Sequence, residues 1–177
     1  MIIPLASRVF ARFGCILYVE HCMQNAFMQR AIELSIENVR SGRGGPFGAV
    51  VVRGSEIAGT GVNSVTATND PTAHAEVAAI RAACQKLGSF QLSGCELYTS
   101  CEPCPMCLGA IYWARLDRVF YGGTREDAAL AGFDDAFIYD QLSSPVIART
   151  MPMQPLMRAE AIEAFREWER SGLKIPY

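Results

Sequence analysis

The sequence predicts an α/β protein in which a mixed sheet lies between two layers of helices. Segments with strand character alternate with segments of helical periodicity along most of the chain, a pattern typical of a sheet covered by helices. A short turn at Arg53-Gly54-Ser55 joins two of the strands, so they are expected to form an antiparallel hairpin. These two observations together predict a three-layer α-β-α arrangement.

The individual elements follow from local patterns. Apolar residues recur every three or four positions from Met23, which predicts a helix that ends at the glycine-rich stretch 41–46. Thr72 is the expected N-cap of the next helix, and Thr124 opens a short helix with a capping-box pattern. Strands are predicted at 47–52, 57–62, 95–100 and 117–122, further helical segments at 73–86, 136–142 and 159–171, and an extended segment at 151–155. Pro103 and Pro105 suit the start of one more helix, which runs to about residue 114.

Composition limits the classes of protein that need consideration. A chain of 177 residues fits one domain, and a formal net charge of −2 argues against a polynucleotide as the main partner. No stretch has the roughly 18–20 apolar residues needed to cross a bilayer, so no membrane partner is predicted. Seven irregularly spaced cysteines do not suggest a disulfide framework, so we expect a cytoplasmic protein.

The N-terminal segment 1–22 differs from the remainder of the chain. It contains Arg8 and Arg12, has no acidic residue before Glu20 and shows no clear helical period. A targeting segment is one interpretation, and an N-terminal extension outside the core is the preferred one. The predicted catalytic domain therefore spans residues 23–177.

Two short motifs carry the chemistry. His74-Ala75-Glu76 is followed by Pro103-Cys104-Pro105-Met106-Cys107. His74, Cys104 and Cys107 are three candidate zinc ligands, and hydrolytic zinc sites use three protein ligands and leave a fourth position for water. Glu76 is not needed as a ligand and is the candidate proton carrier. The pair of motifs therefore predicts hydrolytic removal of an amino group from an amidine-like carbon.

The spacing of the motifs restricts their geometry. Cys104 and Cys107 lie three apart, so they share one face at the start of a helix. His74 and Glu76 lie two apart and would point to different sides in mid-helix. Both can reach one metal ion only if that ion lies off the N-terminal end of their helix.

Three other interpretations of the same residues remain open from spacing alone. Cys101 could complete a closed structural site with the three candidate ligands, or Cys104 and Cys107 could form a redox pair. A non-catalytic zinc module is the third, although Glu76 would then have no role. The remaining cysteines are interpreted as small packing residues, namely Cys15, Cys22, Cys84 and Cys95.

The chain resembles the cytidine/deoxycytidylate deaminase superfamily, whose zinc signature is H-x-E…P-C-x-x-C, and most closely its bacterial guanine deaminase branch. The similarity runs from about Met23 to Tyr177. The segments that carry it are GGPFGAVVV, NDPTAHAE, YTSCEPCPMCLGAIYWAR and AGFDDAFIYD. The resemblance implies a cytidine-deaminase-like fold with a five-stranded mixed sheet and one zinc ion per subunit. It also implies conversion of guanine to xanthine and ammonia; tRNA adenosine deaminases and cytosine deaminases share the two motifs and are the alternatives.

The resemblance also implies roles for residues outside the two motifs. Asn63 would hydrogen-bond the purine base, Phe47 would stack on it and Trp113 would line the pocket. Asp135 would hold the ring edge or relay a second proton, with its neighbour Asp134 as the competing choice. Core packing for Phe47 and Trp113, and loop capping for Asn63, are the alternatives.

Guanine deaminases of this branch are dimers in which the C-terminal segment closes the partner's active site. The resemblance thus implies a homodimer with a domain-swapped segment at about 150–177 and with Tyr177 against the base. A loose terminus is the alternative.

Overall fold

The structure is a computed structural model that describes residues 5–176, with side-chain detail from residue 21 onward. It contains two compact units that divide between Asp134 and Asp135. The first unit contains the sheet, and the second contains the C-terminal helices.

The sheet of the first unit has four strands: β1 (Gly48–Arg53), β2 (Glu56–Val62), β3 (Cys95–Cys101) and β4 (Arg118–Gly123). Their order across the sheet is β2-β1-β3-β4. Strand β1 pairs antiparallel with both β2 and β3, whereas β3 pairs parallel with β4. The sheet is therefore mixed, and each of its strands corresponds to one predicted from the sequence.

The predicted fifth strand is wrong for the described residues. After β4, Thr124 begins helix α5 (Arg125–Leu130) with a capping box, in which its hydroxyl accepts from Asp127 N and the Asp127 carboxylate accepts from Thr124 N. The chain therefore turns into a helix directly at the sheet edge. The later extended segment contains Pro152 and Pro155, which have no N–H to donate to a strand ladder, and it forms no strand.

The two faces of the sheet contact different helices, and a short helix, α2 (Val65–Thr68), follows β2 in the chain. Alternation along β1 points Val50 and Val52 toward helix α1 (Leu5–Arg40) and points Ala49 and Val51 toward helices α3 (Ala75–Leu87) and α4 (Pro105–Ala114). Tyr98 packs with Val50 and Val52 on the α1 side of the sheet and stacks on Phe120, with ring centroids 4.7 Å apart. The predicted three-layer α-β-α class is confirmed in the first unit.

Helix α1 differs from its sequence prediction. It was predicted to begin near Met23, but it is one continuous helix that begins at Leu5 and ends at Arg40. The helix thus crosses the predicted boundary between residues 22 and 23. Whether residues 1–22 act as an extension outside the catalytic domain stays a prediction.

The second unit is helical. It contains α6 (Ala136–Ser143), a 3-10 turn at Val146–Ala148 and α7 (Arg158–Arg170). Both α-helices were predicted from sequence. In the described part of the chain, no helix combines the length and the apolar character that a membrane span requires.

Two glycines of β2 allow α3 to lie directly on the sheet. A methyl group at Gly61 would overlap the carbonyl oxygen of Ala75 and lie 2.5 Å from Ala79 N, and one at Gly59 would lie 2.5 Å from Ala79 O. Because α3 begins immediately after His74, this close approach also determines where the first motif lies.

Replacing Gly61 with Ala is expected to lower the free energy of unfolding by about 1–3 kcal/mol, because the added methyl group forces α3 away from the sheet. Gly109→Ala on α4 is the control, since a methyl group there meets no atom within 4 Å and alanine favours a helix. Urea unfolding compares the two variants with the native protein. Equal stability of Gly61→Ala and the native protein would contradict the packing argument.

Candidate metal centre

The same end of the sheet holds both motifs, Phe47 and Asn63. The carboxyl ends of strands β2, β3 and β4 lie there, beside the amino end of the antiparallel β1. Phe47 precedes β1 and Asn63 follows β2, and Asn63 N donates to Phe47 O at 3.1 Å. The backbone of Ser64 donates to the Ala73 carbonyl at 2.9 Å, which ties the end of β2 to the residue before His74.

The first motif lies at the N-terminal end of α3. The N-cap is His74, in an extended conformation with φ −78° and ψ 157°, and not Thr72 as predicted. Thr72 instead donates its hydroxyl to Asp70 at 2.7 Å. His74 therefore points off the end of the helix while Glu76 occupies its first turn, as the two-residue spacing required.

The second motif lies at the corresponding end of α4. Cys104 is the N-cap, Pro105 is the first helical residue and Cys107 lies in the first turn. Proline suits this position because the first N–H groups of a helix have no intrahelical partner. Free N–H groups and the helix dipole also favour the thiolate form of cysteine, which is the form that binds metal.

The three candidate ligands form one cluster. His74 Nδ1 lies 3.5 Å from both Cys104 Sγ and Cys107 Sγ, and the three ligand atoms all lie within 4.8 Å of one another. Ordinary Zn–N and Zn–S bond lengths at tetrahedral angles place nitrogen and sulfur about 3.6 Å apart. The spacing and the donor chemistry of the cluster therefore fit a zinc ion bound through Nδ1 of the histidine.

Cys101 does not join this cluster. The metal-ligand group found among the described residues contains His74, Cys104 and Cys107 alone. The Cys101 thiol instead donates to the Thr124 carbonyl at 3.5 Å, and burial raises its pKa to about 11. Three ligands leave one tetrahedral position for water, as expected of a hydrolytic site.

Glu76 lies directly beside the ligands. Its side chain is buried, with 6% of its surface exposed. Cys107 Sγ lies 3.4 Å from Oε2, and Thr99 Oγ1 donates to Oε1 at 3.4 Å. These contacts hold the carboxylate next to the metal position without making it a ligand, which suits a group that carries protons.

Burial and hydrogen bonds among the site residues shift their pKa values. Burial raises the pKa of Glu76, because a charged carboxylate is poorly solvated there. The hydrogen bond with Cys107, followed by that with His74, lowers the pKa of Cys104. The hydrogen bond with Cys104 raises the pKa of the Cys107 thiol. A bound cation would favour the thiolate at both positions.

The predicted substrate contacts lie in different places. Phe47 packs against the core and meets Phe133 edge to face, with centroids 4.9 Å apart. Asn63 is buried and accepts from Gly45 N through Oδ1 at 3.4 Å, whereas Trp113 lies on α4 with 67% of its surface exposed. Their roles toward a base stay predictions.

The acidic pair and the terminal tyrosine give a second group of predicted contacts. Asp134 ends the first unit, and Asp135 begins the second unit as the N-cap of α6. Tyr177 lies outside the described residues. The choice between Asp134 and Asp135, and the role of Tyr177, therefore stay predictions.

Sequence reasoning missed two residues that support the site. Thr99 is a polar residue in the row of β3 that otherwise packs against α3 and α4, and this break in an apolar row was the available signal. Asn38 is fully buried on α1, and its Nδ2 donates to the backbone of Asn63 at 2.8 Å. No sequence signal indicated it, because asparagine near a helix end is ordinary.

The comparisons with known proteins agree with this geometry. A family model described as the cytidine and deoxycytidylate deaminase zinc-binding region matches residues 21–123. The guanine deaminase of Bacillus subtilis (strain 168) is 54% identical over 151 residues, which is 85% of this chain and 97% of that protein. The X-ray structure of Bacillus subtilis guanine deaminase matches with a TM-score of 0.84 and 53% identity, covering 86% of this chain and 98% of that one.

More distant relatives match less of the chain. A structure of guanine deaminase from Nitrosomonas europaea is 29% identical, with a TM-score of 0.60, and the match covers 78% of this chain and 71% of that one. The tRNA-specific adenosine deaminase of Agrobacterium fabrum is 47% identical over 77 residues, or 44% of this chain and 51% of that protein. With its three-ligand cluster and adjacent Glu76, the chain belongs to the cytidine and deoxycytidylate deaminase family, in the group that includes the Bacillus subtilis guanine deaminase.

Proposed function

We propose that this protein is a zinc-dependent guanine deaminase that converts guanine and water to xanthine and ammonia. The observation that carries the proposal is the three-ligand cluster with buried Glu76 in contact with it. The near full-length similarity to a guanine deaminase supports guanine as the substrate. We further propose one zinc ion per subunit and a cytoplasmic role in purine breakdown or salvage.

The residues of the cluster divide the chemistry between them. His74, Cys104 and Cys107 would hold the zinc ion, which would supply a nucleophile at neutral pH by lowering the pKa of water. We propose that Glu76 accepts the proton of the attacking water. The same carboxyl group then donates to the ring nitrogen beside C2 and helps protonate the departing amine.

We propose that side chains outside the two motifs orient the base. Asn63 Oδ1 accepts a hydrogen bond from Gly45 N. The amide nitrogen of the same side chain would donate to an acceptor on the purine. Phe47 would stack on the ring. We propose that Trp113 lines the pocket and that Asp135, or its neighbour Asp134, holds the ring edge.

A panel of substrates tests the proposal. Zinc-loaded protein is incubated with guanine, cytosine, adenosine and a tRNA stem-loop, and ammonia release is measured for each. Guanine is expected to react far faster than the others. Preferential turnover of the stem-loop would favour a tRNA adenosine deaminase, and a fastest reaction with cytosine would favour a cytosine deaminase. Failure to release ammonia from any of them would favour a non-catalytic zinc module.

We also propose a homodimer in which the segment at about 150–177 closes the partner's active site. The family resemblance supports this proposal. So does the apolar side of α7, where Phe165 and Trp168 keep 68% and 46% of their surfaces exposed. In this arrangement Tyr177 reaches the base bound by the other subunit.

Deletion of residues 174–177 is expected to reduce guanine turnover at least about tenfold, because water then enters an active site that closure would exclude it from. The folded fraction should not change. Steady-state kinetics and circular dichroism measure the two quantities. Lys174→Ala is the control, because it changes one side chain of this segment and keeps the terminal tyrosine. Native turnover after the deletion would exclude a closing role for the terminus.

A further inference from the structure

A buried amide on α1 connects the two backbone segments that carry the predicted base contacts. Asn38 has none of its surface exposed. Its Nδ2 donates to Asn63 O at 2.8 Å and to Gly45 O at 2.9 Å. Both partners are carbonyl oxygens, so the donor end of the amide faces them. One side chain therefore ties the exit of β2 to the glycine-rich loop.

The same two segments are joined by further hydrogen bonds. Asn63 N donates to Phe47 O at 3.1 Å, and Gly45 N donates to Asn63 Oδ1 at 3.4 Å. The backbone of Asn63 is thus held on both sides, by Phe47 at its N–H and by Asn38 at its carbonyl. Loss of the Asn38 donor would remove the hydrogen bond at the Asn63 carbonyl and leave the one at its N–H.

Packing around this contact leaves little room for adjustment. A methyl group at Gly44 would overlap Asn63 O and lie 3.1 Å from Asn38 Nδ2. Asn38 Oδ1 is buried and receives no hydrogen bond from the described residues. An unpaired buried oxygen costs free energy, which an apolar side chain would avoid. An asparagine at position 38 is therefore explained by the hydrogen bonds that its Nδ2 donates and not by packing.

We infer that Asn38 is a positioning residue that orients Asn63 and Phe47 for binding of the purine base. This inference rests on the proposed guanine site. Asn38 has no predicted contact with the base. It acts through the backbone of Asn63 and Gly45, each of which hydrogen-bonds the backbone of Phe47. A contact made equally in the ground state and the transition state changes KM more than kcat. The expected signature is therefore a higher KM for guanine at a nearly unchanged kcat.

Two variants test the inference by different routes. Asn38→Asp keeps the side-chain shape but removes the donor, and Gly44→Ala keeps the donor but displaces the carbonyl oxygen it binds. Ser35→Ala is the matched control, because Ser35 is also buried on α1 and its hydroxyl donates to Ile32 O. That hydrogen bond lies outside the Asn38 contacts, so the control removes a hydrogen bond from α1 and leaves the base contacts in place.

Both test variants are expected to raise the KM for guanine about 10- to 100-fold, the factor that corresponds to one lost or misplaced buried hydrogen-bond partner. The dissociation constant for guanine, measured in a Glu76→Gln background to prevent turnover, should rise by the same factor. Ser35→Ala should leave both constants at the native value. If Asn38→Asp does not fold, Gly44→Ala supplies the result.

Native constants in the folded test variants, or a loss of kcat without a change in KM, would overturn the inference. So would an equal rise in KM in Ser35→Ala, since that would indicate general destabilisation of α1. These outcomes leave the proposed function intact, because the native protein still deaminates guanine. Absence of guanine turnover by the native protein would instead overturn the proposed function and this inference with it.

Discussion

Replacing Glu76 with Gln is expected to reduce guanine turnover by about 10²- to 10⁴-fold, the range that general acid–base groups contribute, while zinc stays bound. The amide keeps the shape of the carboxylate, and its oxygen can still accept from Thr99 Oγ1. It cannot accept and return a proton. Steady-state kinetics and the zinc content of the purified variant measure the two parts of this expectation.

Glu102→Gln is the matched control for Glu76→Gln. It makes the same substitution two residues from Cys104, but the Glu102 carboxylate accepts from Arg125 N at 3.2 Å and not from a residue of the cluster. Its turnover should stay near the native value. A similar loss in both variants would indicate a general effect of negative charge near the site. Near-native turnover in Glu76→Gln would refute the assignment of Glu76 as the proton carrier.

Replacing Cys107 with Ala is expected to abolish stoichiometric zinc binding and guanine turnover together. Two protein ligands would remain, and Cys107 is fully buried in the cluster between His74 and Glu76. Elemental analysis of the purified protein measures zinc per chain, and the ammonia assay measures activity. Retention of one zinc ion per chain at native activity would contradict the ligand assignment.

Cys101→Ser gives the comparison for the metal experiment. Serine keeps a donor for the Thr124 carbonyl, to which the Cys101 thiol donates at 3.5 Å. One zinc ion per chain and near-native turnover are expected. Loss of zinc in this variant would mean that Cys101 is a fourth ligand, and the centre would then be a closed structural site.

Much of the fold could be predicted because its signals are local. The continuous apolar run of β1, the proline at the start of α4 and the capping box at Thr124 each depend on residues close together in sequence. The start of α1 was misplaced by eighteen positions because its first part lacks the amphipathic period that the rest shows. The fifth strand was inferred from resemblance, and the described residues do not form it.

The ligand set of the centre could be predicted from the amino-acid sequence. Histidine, two cysteines and a nearby glutamate are readable in two short motifs, because ligand identity and spacing are properties of the chain. The requirement that the metal lie off a helix end also followed from the two-residue spacing of His74 and Glu76.

The folded structure identifies the residues that support those motifs. It excluded Cys101 from the cluster, placed Thr99 against Glu76 and connected Asn38 to Asn63 across 25 positions of sequence. Such contacts join elements that are adjacent only once the sheet has formed. Buried polar groups need partners, and which partner each group finds depends on packing that no local pattern records.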